Sequence, residues 1–293
     1  MAYKDVNLVY FTGTGGTARI ADAFEKAFSD RSINVHRTEL NGKNQPVDIR
    51  DLLLVVFPVY AFNAPKPIDE WIEEAPQGQG RPAAVISVSG GGEVSPNTAC
   101  RAATIRRLER KGYTVVYEKM FIMPSNFLVK YDDSLCAMVL RVAPKNAEKV
   151  VSELLAGRHL RSNPYGVDRL ASRLGSLEKI GGKYFGKYLK VNEKCVKCSW
   201  CAQNCPRGNI TMVNEKITFG GDSCVICLRC VYGCPQKAIE PGIGKFMVIT
   251  GGFDLSKIEN RMSYMTVFPP VEHITKGVLL KGVKAYLFES GEK

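Results

Sequence analysis

Long apolar runs are missing from this 293-residue chain. The longest, Leu52 to Phe62, contains a proline and falls well short of the ~20 residues a membrane-spanning helix needs. No membrane span is therefore expected. The opening residues Met1-Ala2-Tyr3-Lys4-Asp5 lead within a few positions into a strand-like segment, so no signal peptide is expected either. Histidine is scarce. His36, His159 and His273 fall in unrelated contexts and form no acid–base catalytic set. Acidic side chains, 29 against 40 basic, are too few to balance the chain, which carries a formal charge of +11. That excess is diffuse and accompanied by no nucleic-acid motif, so nucleic acid is not an expected partner. Disulfides are not expected despite ten cysteines, because their spacing is that of metal ligands and the chain is large. A reducing cytoplasm follows as the expected setting.

What is present suggests two domains, with 45% hydrophobic residues to build a core in each. Over roughly residues 1–160, apolar strands alternate with helical patterns. Strands are expected at 6–11, 33–40, 52–57, 83–88 and 113–121, and helices near 16–29, 66–74, 97–111 and 142–156. The continuous Leu/Val/Phe run 52–57 has the character of a strand buried on both faces of a parallel sheet. The pattern predicts an α/β, doubly wound five-stranded parallel sheet with helices on both faces.

Residues 161–190 form a basic connector, with seven basic and two acidic side chains. Within it Val167, Leu170, Leu174, Leu177, Ile180, Tyr184, Phe185 and Tyr188 recur at helical spacing, interrupted by Gly181-Gly182. The connector reads as a docking face for an acidic partner or as a solvated helix surface. In the last stretch, 241–293, Phe246–Thr250 and Val283–Phe288 look like strands, but their place is not legible.

Eight cysteines lie in two copies of one pattern, C-x2-C-x2-C-x3-C-P. The first is Cys195, Cys198, Cys201 and Cys205 before Pro206. The second is Cys224, Cys227, Cys230 and Cys234 before Pro235. The copies agree at a fixed offset of 29, including Ile210 and Ile239, so residues 191–240 are internally two-fold. This run holds 4Fe–4S clusters, which implies one-electron chemistry and points to an anaerobic metabolism. Apolar neighbours Val196, Trp200, Val225, Ile226 and Leu228 are expected to keep water from the sulfurs. Cys100 and Cys136 stand apart, in a helix and near a loop respectively, as plain thiols.

Directly after the first strand, Thr12-Gly13-Thr14-Gly15-Gly16-Thr17 opens a helix. A strand, a glycine-rich loop and a helix N-terminus together make an anion site, to which three threonines add hydroxyl donors. Gly13-x-Gly15-x-x-Ala18 also satisfies a dinucleotide fingerprint, with Glu39 about 20 residues on as a ribose acid. The alternating threonines suit a terminal monophosphate better than a pyrophosphate. A second loop, Pro58-Val59-Tyr60-Ala61-Phe62-Asn63, leaves strand three at the switch-point crevice, where Tyr60 and Phe62 can stack on a planar ring or cap the core. A third, Ser89-Gly90-Gly91-Gly92, exposes backbone amides at the same sheet edge, and Asn126 follows strand five nearby.

The loop 12–17 resembles the phosphate-binding loop of flavodoxins, and the resemblance runs over roughly residues 4–160. Residues 191–240 resemble a small α+β two-cluster bacterial ferredoxin. The whole looks like the fused flavodoxin–ferredoxin proteins of anaerobes, a family of iron–sulfur flavoproteins. The resemblance implies FMN, with Thr12, Thr14 and Thr17 on its phosphate and the 58–63 and 89–92 loops flanking its ring. It implies two 4Fe–4S clusters with crossed ligands, Cys195, Cys198, Cys201 and Cys234 for one and Cys224, Cys227, Cys230 and Cys205 for the other. Flavodoxins and ferredoxins are usually acidic and this chain is basic, so an acidic ferredoxin- or flavodoxin-type redox partner is expected. The function implied is an oxidoreductase relaying electrons between the clusters and FMN. Two alternatives stay open: a flavoenzyme reducing a small organic acceptor, and a redox sensor or reductive activator docking on a partner protein.

Overall fold

A computed structural model describes residues 3–42, 47–175 and 178–293. Strand β1 (Asp5–Tyr10) leads into helix α1 (Gly16–Ser29) and returns as β2 (Asn34–Glu39). Then follow β3 (Leu52–Pro58), α2 (Lys66–Glu74), β4 (Pro82–Ser89), α3 (Ala102–Arg110), β5 (Thr114–Ile122) and α4 (Asp133–Leu155). The five strands form one sheet in the order β2-β1-β3-β4-β5, all parallel. This is the flavodoxin-like doubly wound order, and its switch point lies between β1 and β3.

Alternation along each strand splits the core in two. Leu52, Leu54 and Val56 face the layer of α1 and α4, while Leu53, Val55 and Phe57 face α2 and α3. All six are fully buried, each worth roughly 1.5–3 kcal/mol of burial. That two-sided burial is why the 52–57 run shows no polar alternation.

Helix α4 begins at Asp133, well before the expected residue 142. Asp132 caps it by accepting from Leu135 N at 2.8 Å, and Leu135, Cys136 and Val139 are buried. Cys136 is therefore helical, whereas Cys100 sits in the turn between a 3-10 turn at 97–99 and α3.

The connector consists of α5 (Gly166–Gly175) and α6 (Glu178–Tyr188). The expected interruption at Gly181-Gly182 is absent, since α6 runs through both glycines. Leu177 and the side chain of Ile180 lie outside the described residues. Helix α5 is inverted relative to an ordinary surface helix. It buries Asp168 and Ser172 and exposes Val167, Leu170 and Leu174 at 68%, 55% and 60%.

The small domain carries β6 (Lys190–Val191), α7 (Trp200–Gln203), β7 (Ile210–Val213), β8 (Lys216–Phe219), α8 (Arg229–Gly233) and β9 (Ile239–Glu240). β6 pairs antiparallel with β9, and β7 with β8, giving an α+β body. Its two-fold character extends to the backbone. Left-handed residues Lys197 and Ser199 recur as Ile226 and Leu228, and Gly208 recurs as Lys237.

The chain then returns to the first core through α9 (Leu255–Met262), α10 (Val271–Ile274) and α11 (Lys281–Glu289). The two strands expected here are not strands. Phe246–Met247 ends a 3-10 turn, and Val283–Phe288 lies in α11. Val283, Tyr286 and Leu287 are buried at helical spacing, and that burial decides the conformation. Leu255, Ile258, Val271, Val283 and Leu287 complete the core beside α1 and α4. Arg19 clamps α9 with Nε and Nη2 donating to Glu259 at 2.6 and 2.9 Å.

Candidate functional site

The three loops singled out in the sequence leave the carboxyl ends of β1, β3 and β4, so the sheet brings them to one edge. In the first, Thr12 and Thr17 are buried, and Thr12 Oγ1 accepts from Gly15 N at 3.2 Å. Gly15 precedes α1 at φ 97°, a conformation that glycine adopts without a Cβ penalty. Behind it the first N–H groups of α1 have no partner within the helix, which favours an anion. Asn126 does reach this loop, Nδ2 donating to Thr14 Oγ1 at 2.6 Å. These features fit a phosphate.

The second loop is a tight turn closed by Tyr60 N donating to Asn63 O at 2.8 Å and Asn63 N to Tyr60 O at 2.9 Å. Its central residues Ala61 and Phe62 both take positive φ, 41° and 64°, where non-glycine residues are costly. The turn is held by α5. Asn63 Nδ2 donates to Ser172 O, and Ser172 Oγ to Asn63 Oδ1. Tyr60 packs edge-on against Phe11, with ring centroids 6.4 Å apart. In the third loop, Gly91 N donates to Ser89 Oγ at 3.0 Å and Tyr131 Oη donates to Gly90 O. Gly92 packs directly on the Gly282 backbone of α11. Just beyond it, Glu93 pairs with the buried Arg101, which also binds Glu118 at 2.7 Å and Ser87 at 2.9 Å.

The cysteines gather in two cages. Cys195, Cys198, Cys201 and Cys234 line one small cavity together with Val196, Trp200, Ile217 and Ile239. Around the other, burial pushes the Cys230 thiol well up, and neighbouring Cys227, Cys224, Cys205 and Cys201 push it further. Burial likewise raises Cys227 and Cys201. Cys234, the fourth cysteine of the second motif, thus stands with the first three of the first, and Cys205 stands near Cys227 and Cys230. Ala238 N donates to Cys234 Sγ and Asn209 N to Cys205 Sγ, each at 3.3 Å, again at the offset of 29. Among the described residues no three His, Cys, Asp or Glu side chains converge on one metal ion. Clustered thiols, of which Cys201, Cys227 and Cys230 are raised by burial, suit a multi-iron cluster, which takes thiolates and releases their protons on binding.

The second cysteine loop lies directly on the phosphate-type loop. A Cβ on Gly13 would stand 2.5 Å from the Cys227 carbonyl oxygen and 2.6 Å from Tyr60 Oη, so only glycine admits this approach. Arg229, between Cys227 and Cys230, donates from Nη2 to Thr12 O at 2.7 Å and from Nε to Gly13 O at 3.1 Å. The same Nη2 reaches Glu39 Oε1 at 2.8 Å. Glu39, the candidate ribose acid, is thus occupied by the arginine and by Tyr10 Oη. The available signal was the repeat itself. Arg229 stands where the first half has Trp200, and Trp200 packs over Gly233 instead of reaching out.

Comparison with known proteins agrees with the cysteine pattern of the sequence. Residues 187–235 match the 4Fe-4S dicluster domain family. Over 46 residues the chain is 39% identical to a component of the ion-translocating oxidoreductase complex of Methanosarcina acetivorans, covering 16% of this chain and 17% of that protein. The chain therefore spans about a sixth of the curated relative it matches. Among solved structures, the two-electron reduced Megasphaera elsdenii flavodoxin is 20% identical, covering 49% of this chain and 98% of that one at a TM-score of 0.36. A flavodoxin from the domain Archaea is 13% identical, covering 51% and 98% at the same score. The strand order β2-β1-β3-β4-β5 is itself that of the flavodoxin-like fold. No helix among the described residues is long and apolar enough to cross a membrane.

Proposed function

We propose that this chain is an iron–sulfur flavoprotein that relays electrons between two 4Fe–4S clusters and FMN. In this reading residues 1–160 bind FMN, 161–190 connect, 191–240 carry the clusters, and 241–293 cover the first core. Bound clusters exchange single electrons and bound FMN one or two. The observation that carries the reading is the seating of Cys227 and Arg229 on the Gly13 loop, which sets a cluster cage against the anion site.

Thr12, Thr14 and Thr17 with Gly13, Gly15 and Gly16 would hold the FMN phosphate. Pro58 to Asn63 and Ser89 to Gly92 would flank its ring. The outward cage leaves Cys198 and Val196 exposed, so a redox protein can approach there. The apolar stripe of α5, together with exposed Arg169, would give an acidic partner a landing face. A cytoplasmic setting follows from the reducing environment that free thiols and clusters require.

The loop packing favours relay over turnover of a small substrate. The phosphate-type loop lies under the cluster loop, the 58–63 loop under α5 and the 89–92 loop against α11. The test is to reduce anaerobically reconstituted protein and add acceptors one at a time, following flavin and cluster absorbance. Reoxidation by electron-carrier proteins alone supports the relay. Repeated turnover with a small organic acceptor would make the protein a flavoenzyme with its own substrate.

A further inference from the structure

We infer that Arg229, a residue of the cluster domain, is a positioning residue for the phosphate loop of the flavin site. The inference rests on the FMN reading above. A trans peptide points its C=O and the next N–H in opposite directions. By drawing the Thr12 and Gly13 carbonyls to its guanidinium, Arg229 turns the Gly13 and Thr14 N–H groups the other way, as an anion nest requires. Arginine suits this because its planar fork engages two acceptors at once in a fixed geometry. Its charge is largely met by Glu39 at 2.8 Å, so orientation outweighs Coulomb attraction in what it supplies.

Pseudo-symmetry singles the residue out. At the equivalent position of the first half, Trp200 stays within the cluster domain. Arg229 instead spans 190 residues of sequence to Glu39 and 217 to Thr12. Because Arg229 sits between two cysteines of one cage, the loop that binds iron also sets the loop that binds phosphate. By linkage, cluster loading and FMN binding then strengthen each other by the same factor.

The test is titration of flavin-free protein with FMN and, separately, with riboflavin, which has no phosphate. Arg229→Gln with wild-type iron content is expected to bind FMN on the order of 10- to 100-fold more weakly, with riboflavin unchanged. Arg229→Lys, keeping the charge but not the fork, should recover only part of the loss. Unchanged FMN affinity, or an equal loss for both flavins, overturns the proposal. If Arg229→Gln fails to retain iron, Glu39→Gln with full iron decides. A several-fold loss for FMN alone supports the role, and no loss overturns it. Wild-type protein that binds neither flavin defeats the FMN reading itself.

Discussion

Asn63 and Ser172 hold each other twice, Asn63 Nδ2 donating to Ser172 O at 2.6 Å and Ser172 Oγ to Asn63 Oδ1 at 2.7 Å. Both residues are buried, and this pair ties α5 to the turn at 60–63. Asn63→Ala is expected to cost roughly 1–3 kcal/mol, because it strands buried polar groups on α5. Hydrogen exchange should report it as faster exchange confined to 166–175 and 59–64. Protection equal to wild type would mean the pair does not hold the helix.

Cys234 belongs to the second motif but lines the first cage. Cys234→Ser should therefore disturb the cluster of Cys195, Cys198 and Cys201, and Cys205→Ser the other. Paramagnetic resonance of each reduced variant checks this. Loss of the same signal as in Cys224→Ser upon Cys234 replacement would refute the crossed arrangement.

Gly13→Ala forces a methyl group into the Cys227 carbonyl. Overpacking of this kind costs about 1–3 kcal/mol, and here the neighbour is backbone that yields poorly. Limited proteolysis should then cut the 220–235 segment faster than in wild type. Identical cleavage rates would mean that the contact is not kept in solution.

Arg101 is buried between Glu118, Glu93 and Ser87. Arg101→Leu leaves Glu118 buried and without this partner, at a cost of about 3–5 kcal/mol. Arg101→Lys should rescue little, because one ammonium cannot reproduce the fork. Urea midpoints measure both effects, and a midpoint within error of wild type for Arg101→Leu would contradict them.

Asp168 is driven up by burial. Hydrogen bonds from Ser95 Oγ at 2.6 Å and from the Thr98 hydroxyl and amide outweigh that, so its carboxyl stays below the ordinary range. A depressed folded value contributes stability above the unfolded pKa, about 4, and loses it as pH falls through the folded value. Wild type should thus lose more stability than Asp168→Asn between about pH 4 and pH 3. Parallel losses in urea unfolding at the two pH values would exclude this contribution.

The parts legible in the sequence were those with short-range causes. A strand buried on both faces must be apolar throughout, as Leu52 to Phe57 are. The cysteine spacing is local to each loop, and it is what matches the 4Fe-4S dicluster family over residues 187–235. The cage grouping came from the ferredoxin likeness, and Cys234 does line one cavity with Cys195, Cys198 and Cys201. The rest depended on partners far away in the chain. Val167, Leu170 and Leu174 follow a helical period, but which face turns inward was decided by Asp168 and Ser172, whose acceptors and donors lie in the 63 and 95–98 loops. The short aromatic run Val283–Phe288 carries no strand partner, and only its packing beside α4 and β5 makes it a helix. Arg229 reads as one more basic side chain until the two halves of the repeat are compared.

The cluster domain is inserted between two segments that both belong to the first core, α4 before it and α9 to α11 after it. A guest held at both ends differs from one hung on a single tether. A single cut between α5 and α6 leaves it attached through residues 249–254, and its effective concentration at the Gly13 loop stays high. Separating the cysteine-rich part from the first core would take two breaks in the chain.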